Sequence, residues 1–269
     1  MPRKRAFLNI LTEYSQYSMG FVLITPENRA VIIDGGRPTE LPNVAAHVGD
    51  REVAAWILTH PHSDHITCIN HALKHDHPLI AATRQFIYRF PELEFCTSRL
   101  TEGECKPLTD FSAQEPKIAD RAWHPVTGDR FEIDGLKFEI LFHHNEKYTE
   151  NLMNDSSLVF RVTGEMQSVL FLGDLGPIAG RELLALQRDN LHADVVQMAH
   201  HGHMCVEKNV YEAIDPRACI WCCQKWLYRE DDRQIRPDMY GVAMTRRWMQ
   251  EIGVVEHYVT ADGDITINV

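Results

Sequence analysis

Val53-Ala54-Ala55-Trp56-Ile57-Leu58-Thr59-His60-Pro61-His62-Ser63-Asp64-His65 is the stretch whose reading decides the fold. An unbroken apolar run of this length, without charge, reads as a strand buried on both faces. It ends in three histidines and a carboxylate, from His60 to His65. Imidazole nitrogens and a carboxylate oxygen brought to one point form the donor set that a borderline divalent metal takes. His60 and His62 are two apart, so on an extended backbone both side chains leave the same face and can grip one ion. The chain then turns into a helix over residues 66–74, which lets Asp64 and His65 aim at a second position beside the first. The spacing therefore predicts two adjacent metals. The tract His75-Asp76-His77 suits a solvated loop instead.

The rest of the composition bounds what such a site can serve. With 269 residues, 44% hydrophobic and 24% charged, the chain is long enough for a large core, and one domain over 1–269 accommodates it. A net charge of −11 argues against a broad nonspecific nucleic-acid surface, which needs clustered Lys and Arg. Met1-Pro2-Arg3-Lys4-Arg5 is basic, but residues 6–11 are too short an apolar run for a secretory core, and no stretch reaches membrane-spanning length. Seven cysteines, an odd number without a regular framework, fit a reducing, cytoplasmic setting. Cys219 and Cys222 sit in an apolar run and read as buried strand residues rather than metal ligands.

His60, His62, Asp64 and His65 reproduce an HxHxDH signature, and on these residues the sequence resembles the metallo-β-lactamase superfamily. The resemblance implies an α+β fold, a four-layer αββα sandwich with one or two metals, usually zinc, at one edge of its sheets. It also implies that Asp34, in Asp34-Gly35-Gly36, supports a ligand histidine near the metals. Read from the residues alone, that aspartate is a turn former before two glycines.

The chain in order agrees with a sandwich. Residues 6–11, 21–25 and 30–33 read as a meander of short strands, and 38–49 as a short helix. A strand over 78–82 follows the metal-loop helix. Residues 83–121 mix aromatic and charged side chains without sustained period and are expected to be an insertion near the active-site face. They form either a substrate wall or a helical cover with its own small core. Strands are expected at 129–133, 136–142, 157–162, 169–172, 194–199 and 218–223, and helices at 180–189 and 238–252. The later strands again deliver His or Asp at their ends: His143-His144, Asp174, and His200-His201-Gly202-His203. In the last helix Val242, Met244, Trp248, Met249 and Ile252 are available to a core.

Leu170-Phe171-Leu172-Gly173-Asp174 resembles the superfamily's bridging-aspartate motif, and His200-His201-Gly202 its final ligand motif. Together with Asn154-Asp155-Ser156-Ser157 and the terminal strands, these pieces resemble the metallo-hydrolase domain of the competence protein ComEC and its free-standing relatives. Three departures stand out. Where classical lactamases place a third histidine, this chain has Asn154 to Ser157. The Gly-Gln-Gly-Asp element of ComEC-like proteins is replaced by Glu13-Tyr14-Ser15-Gln16-Tyr17-Ser18, and the Ser after His-His-Gly is replaced by His203. His203 is thus a candidate extra ligand or proton donor. Asn154, His143 or His144 could complete the first site.

The resulting assignment gives His60 and His62 to the first metal, Asp64, His65 and one of His200 or His201 to the second, and Asp174 to both. Strand alternation sends His200 and His201 to opposite faces, so only one should reach. Asp64 and His203 are the candidate catalytic residues. Zinc is the first expectation, with manganese or iron competing if the first site is short of ligands. Such a pair activates water, so hydrolysis is expected, on a phosphodiester or other phosphoester. Lactone, thioester or amide cleavage is the alternative, and a degenerate metal-binding regulatory protein the third reading. The acidic balance suits a small anionic substrate or a single nucleic-acid strand, with Arg236, Arg246 and Arg247 as cationic candidates.

Overall fold

Short apolar runs bounded by Gly, Asp or Pro form fourteen strands in the computed structural model, which describes residues 5–14, 17–145, 147–229 and 241–269. In chain order they are β1 (Phe7–Ile10), β2 (Gly20–Ile24), β3 (Ala30–Asp34), β4 (Val53–Ile57), β5 (Phe86–Ile87), β6 (Ala122–Trp123) and β7 (Arg130–Ile133). These are followed by β8 (Leu136–Phe142), β9 (Val159–Thr163), β10 (Ser168–Phe171), β11 (Val195–Gln197), β12 (Ala218–Trp221), β13 (Glu256–Val259) and β14 (Ile265–Asn268). They build two mixed sheets of seven strands, in the orders β14-β1-β2-β3-β4-β5-β6 and β13-β12-β11-β10-β9-β8-β7.

The sheets pack face to face over an apolar core. Phe21 of the first sheet meets Phe171 of the second edge-on at 5.1 Å, and Phe160 stacks on Phe171 at 4.9 Å. Helices cover both outer faces, Leu41–Val48, Ser63–Lys74 and Glu102–Gln114 on the first sheet and Pro177–Gln187, Lys208–Ile214 and Val242–Ile252 on the second. The result is the αββα sandwich. Strand β4 is apolar throughout because it has no solvent side: Ala55 and Ile57 enter the central core, while Trp56 and Leu58 meet the helix layer.

Strand direction sets where functional side chains emerge. β3, β4 and β5 are parallel to one another, as are β10, β11 and β12, while β9 is antiparallel to both β8 and β10. The C-terminal ends of β3, β4 and β5, and of β8, β10 and β11, therefore open on one edge of the sandwich. There the Leu158 amide donates to the Thr59 carbonyl at 2.9 Å, joining the two sheets.

Several elements differ from expectation. Residues Pro78–Ala82 form a short helix rather than a strand: Pro78 suits a first helical position, and the His77 ring caps the Leu79 amide. Residues 83–121 contribute β5 to the first sheet and two helices, Leu93–Thr97 and Glu102–Gln114. The longer helix starts with a reciprocal cap between Thr101 and Glu104. Phe111 and Ile118 join the layer over the first sheet, and Cys96, Cys105 and Leu108 pack with Leu152 and Met153 in a small core of their own. The last helix is seen over Val242–Ile252, its expected first residues falling outside the described ones, and Met244 points to solvent rather than into the core.

Candidate metal centre

The chain cannot continue as a strand past Leu58, because Pro61 has no amide hydrogen for a ladder. It instead turns through His60 and His62 and enters the helix Ser63–Lys74, whose first turn holds Asp64 and His65. His60 Nε2 lies 3.1 Å from His62 Nδ1 and 3.7 Å from Asp174 Oδ2. His65 Nε2 lies 3.2 Å from Asp174 Oδ1, and His201 Nε2 is 3.2 Å from Asp64 Oδ2 and 3.7 Å from Asp174 Oδ2. Two donor clusters result, His60, His62 and Asp174 on one side and Asp64, His65, Asp174 and His201 on the other, each with its atoms within 4.8 Å of one another. Asp174 belongs to both.

These distances carry a chemical meaning. Nitrogen and oxygen ligands about 2.0–2.2 Å from a tetrahedral ion stand roughly 3.3–3.6 Å apart, and the observed 3.1–3.7 Å spans that range. His65 Nε2 and Asp174 Oδ1 are buried, face each other at 3.2 Å, and yet make no hydrogen bond, so each has a lone pair or proton aimed at a shared point. The donor set fits a divalent cation.

Charge balance says the same. Burial opposes ionisation of Asp174, but His65, His200, His201 and His60 hold its carboxyl well below the usual range. Asp64 likewise stays ionised against its burial, through the hydrogen bond with His201 and the charge of His65. Burial opposes charge on His65, and Asp174 and Asp34 outweigh it and raise its imidazole well above the ordinary value. Buried carboxylates thus hold protons on facing imidazoles, and metal ions bound here would replace those protons with larger positive charge.

A ring of supporting contacts fixes the donors. Asp34, fully buried at the end of β3 with φ +54°, accepts from the Thr59 amide at 2.7 Å and the Thr59 hydroxyl at 2.8 Å. It also accepts from His65 Nδ1 at 2.8 Å, which leaves Nε2 to face Asp174. His201 Nδ1 donates to the Cys222 carbonyl at 2.7 Å, turning its Nε2 inward. The turn that carries Asp174 is held by Gln197, whose side-chain oxygen accepts from the Leu172 and Gly173 amides and whose amide donates to the Gly173 carbonyl. Gly173 sits at φ +57°, and a Cβ there would lie 2.8 Å from Ser157 Oγ, so only glycine lets this turn close.

The residues predicted from sequence fall into three groups. His60, His62, Asp64, His65, Asp174 and His201 converge as described. Of the pair His200 and His201, only His201 joins a metal-competent group among the described residues, while His200 lies alongside with its Nε2 3.7 Å from Asp174 Oδ2. The strand has ended at Gln197, and His200 and His201 have φ of +50° and +58°, a left-handed turn in which strand alternation no longer applies. His203 stands behind them, its ring 4.6 Å from that of His200 and edge-on to Tyr17 at 5.7 Å; burial pushes its imidazole down to about 3.

The third group lies apart from the clusters. His143 Nδ1 accepts from the Thr127 amide, Asn154 donates to Asn151, and neither they nor His144 joins a metal-competent group among the described residues. Of the cationic candidates, Arg246 lies over the Tyr228 ring at 5.4 Å, and Arg236 is outside the described residues.

Sequence reasoning missed Gln197, Tyr17 and Cys205. Gln197 was signalled by a lone amide in the apolar run Val195-Val196-Gln197-Met198. Tyr17, which packs on His201 at 5.3 Å, and Cys205, whose sulfur is 2.9 Å from His200 Nδ1, gave no sequence signal.

Two sheets between helix layers, with a histidine–aspartate centre at one edge, define a class of metal-site folds. The model of the metallo-beta-lactamase superfamily matches residues 21–204, and the chain belongs to that superfamily. Among solved structures, the metallo-beta-lactamase fold protein YhfI from Bacillus subtilis is similar at 9% identity and a TM-score of 0.55, covering 97% of this chain and 99% of that one. CmlA, a diiron beta-hydroxylase from Streptomyces venezuelae, is similar at 10% identity and a TM-score of 0.60, over 100% of this chain and 55% of that one. A diphosphatase from the PhnP family is similar at 13% identity and a TM-score of 0.52, covering 98% of each chain. No curated protein sequence matches this chain significantly. No helix among the described residues is long and apolar enough to cross a membrane, and all seven cysteines are free.

Proposed function

We propose that this protein is a metal-dependent hydrolase acting on a phosphodiester or other phosphoester. The observation that carries the proposal is Asp174, whose carboxylate belongs to both donor clusters, so that two cations would be held side by side. When bound, the ions supply Lewis acidity, activating water and offsetting negative charge on the attacked centre, and a paired site suits in-line displacement at phosphorus. His60 and His62 would hold one ion, and Asp64, His65 and His201 the other. Zinc fits the nitrogen-rich donors, while the first cluster, with three protein donors, would also admit manganese or iron.

The chain's own residues supply position and proton traffic. Asp34 orients His65, and the Cys222 carbonyl orients His201. His200, with about a quarter of its side chain exposed, lines the side next to Asp174, and His203, packed behind it, is the candidate relay for the leaving-group proton. Asp64 is catalytic through the ion it would hold. The resemblance to ComEC's hydrolase domain and the similarity in fold to a diphosphatase support phosphorus over carbon as the attacked atom. The net charge of −11 favours a small anionic substrate or a single strand over a duplex.

The test is turnover of bis(p-nitrophenyl) phosphate against a panel of lactones and thioesters by the metal-loaded chain. The diester should be cleaved at least tenfold faster than any acyl substrate, and His62→Ala should abolish the activity while leaving the unfolding temperature within a few degrees. Preference for an acyl substrate would transfer the same centre to carbonyl chemistry. Inertness on every substrate would refute the hydrolase reading.

A further inference from the structure

Beside the metal centre stands a cation that the proposed chemistry leaves unused, Arg37. It follows Asp34-Gly35-Gly36, whose aspartate holds His65. The Gly36 amide donates to the His65 carbonyl at 3.2 Å, so the bend before Arg37 is tied to the helical turn that supplies Asp64 and His65. Gly36 sits at φ +78°, and a Cβ there would lie 1.9 Å from Ser18 Oγ, so only glycine lets the chain pass this point. Arg37 is then held twice by the neighbouring segment. Its amide donates to Ser18 Oγ at 3.3 Å and its Nε to the Tyr17 carbonyl at 2.9 Å. That segment in turn rests on the metal-site residues: the Tyr17 ring packs on His201 at 5.3 Å, and the Met19 amide donates to the Asp64 carbonyl at 3.0 Å.

The far end of the side chain is open. Arg37 is half-buried, and its two terminal nitrogens have neither a hydrogen-bond nor an ion-pair partner among the described residues, yet neither is shut away from solvent. Elsewhere in this acidic chain, arginines such as Arg29 and Arg161 meet carboxylates at 2.5 Å. Glu40, three residues beyond Arg37, does not answer it, because its oxygens accept from the Tyr14 amide at 3.1 Å and the Thr39 hydroxyl at 2.6 Å. Pinning Nε fixes the guanidinium plane in advance and leaves its outer edge, two parallel N–H donors, for a bidentate oxyanion. The ions would engage the oxygens of the attacked phosphoryl group. Arg37 stands outside them, with Tyr17 between it and the ligand His201, so its partner is a neighbouring group of the substrate.

We infer that Arg37 is a specificity-determining residue, gripping a second, terminal phosphate on the substrate whose phosphoester is attacked at the metal centre. The inference rests on the phosphoester reading above and adds the substrate class, a phosphoester that bears a further phosphate. A neutral ester or a simple dialkyl phosphate would leave the open edge of the guanidinium without a partner.

Isothermal titration of the zinc-loaded chain with ethyl phosphate and with ethylene glycol bisphosphate gives the ratio of their Kd values. The wild type should bind the bisphosphate at least about tenfold more tightly, the worth of hydrogen bonds to a charged group. Arg37→Gln should bring the ratio near one, with affinity for ethyl phosphate within twofold of the wild type and the unfolding temperature within a few degrees. Arg37→Lys, which keeps the charge but not the fork, should fall between the two. A wild type that binds both ligands alike, or neither, overturns the inference. So does an Arg37→Gln variant that keeps the wild-type ratio or loses both ligands equally. Turnover is read separately, on ethyl p-nitrophenyl phosphate and its 2-phosphonooxyethyl analogue, which share a leaving group. Cleavage of neither refutes the phosphoester reading and leaves the binding ratio to decide Arg37. Cleavage of both with equal kcat/KM in the wild type overturns the inference alone, whereas a preference for the analogue that Arg37→Gln abolishes upholds it.

Discussion

Replacing Asp34 by Asn changes no shape but should cost the protein most of its hold on the second metal. The carboxylate accepts three hydrogen bonds, from the Thr59 amide, the Thr59 hydroxyl and His65 Nδ1, at 2.7–2.8 Å. An asparagine oxygen can keep the bond from the Thr59 amide, which places its NH2 toward His65. His65 Nδ1 must then accept rather than donate, and its proton moves to Nε2, the atom that faces Asp174 Oδ1 at 3.2 Å. A protonated nitrogen cannot ligate a metal. Restoring the useful tautomer against the amide costs about 1.4–2.8 kcal/mol, equivalent to the tenfold to hundredfold loss in metal affinity typical when such supporting partners are removed. Competition for Zn²⁺ against a chromophoric chelator at pH 7.5 measures it. The binding event at the four-donor cluster that contains His65 should weaken by that factor while far-UV circular dichroism stays as in the wild type. Equal zinc affinity in Asp34→Asn would refute the claim that Asp34 sets the histidine's tautomer.

Two further outcomes test other parts of the molecule. Burial pushes His144 down to about 4 from an ordinary 6.5, so its stabilising share is fully present above pH 6.5 and is lost as pH falls toward 4. The stability difference between wild type and His144→Phe, from urea titrations, should accordingly change by about 2–3 kcal/mol between pH 7 and pH 4, in the direction that penalises the wild type at low pH; a constant difference would contradict the burial argument. Gly173→Ala places a methyl 2.8 Å from Ser157 Oγ at φ +57° and should destabilise the fold by about 1–3 kcal/mol in thermal or urea unfolding. No loss there would mean that the turn is freer than its contacts show.

Most of the sandwich was legible because its signals are local. Val53–Ile57 has no polar residue to suggest a solvent face, and both its faces are in fact covered. The site's nitrogen and oxygen donors were legible too, since His60, His62, Asp64 and His65 fall within one turn of chain after that strand. What could not be read depends on partners distant in sequence. Both His200 and His201 face Asp174 because the backbone turns left-handed there, and no alternation rule signals that turn. Residues Pro78–Ala82 look strand-like in hydrophobicity, yet a proline start and the His77 cap decide for helix. In 83–121 the apolar residues serve two different cores, so neither helix shows one clean apolar stripe. Gln197 is polar for the sake of a turn that belongs to another strand.

The account turns on two clusters sharing one carboxylate, and metal content reads this directly. Wild type, Asp174→Ala and His62→Ala would be loaded with zinc, dialysed against metal-free buffer and measured by inductively coupled plasma mass spectrometry alongside protein concentration. The wild type should retain up to two ions per chain, His62→Ala one, and Asp174→Ala fewer than one. A wild type that keeps no transition metal, or an Asp174→Ala variant that keeps as much as the wild type, would contradict it.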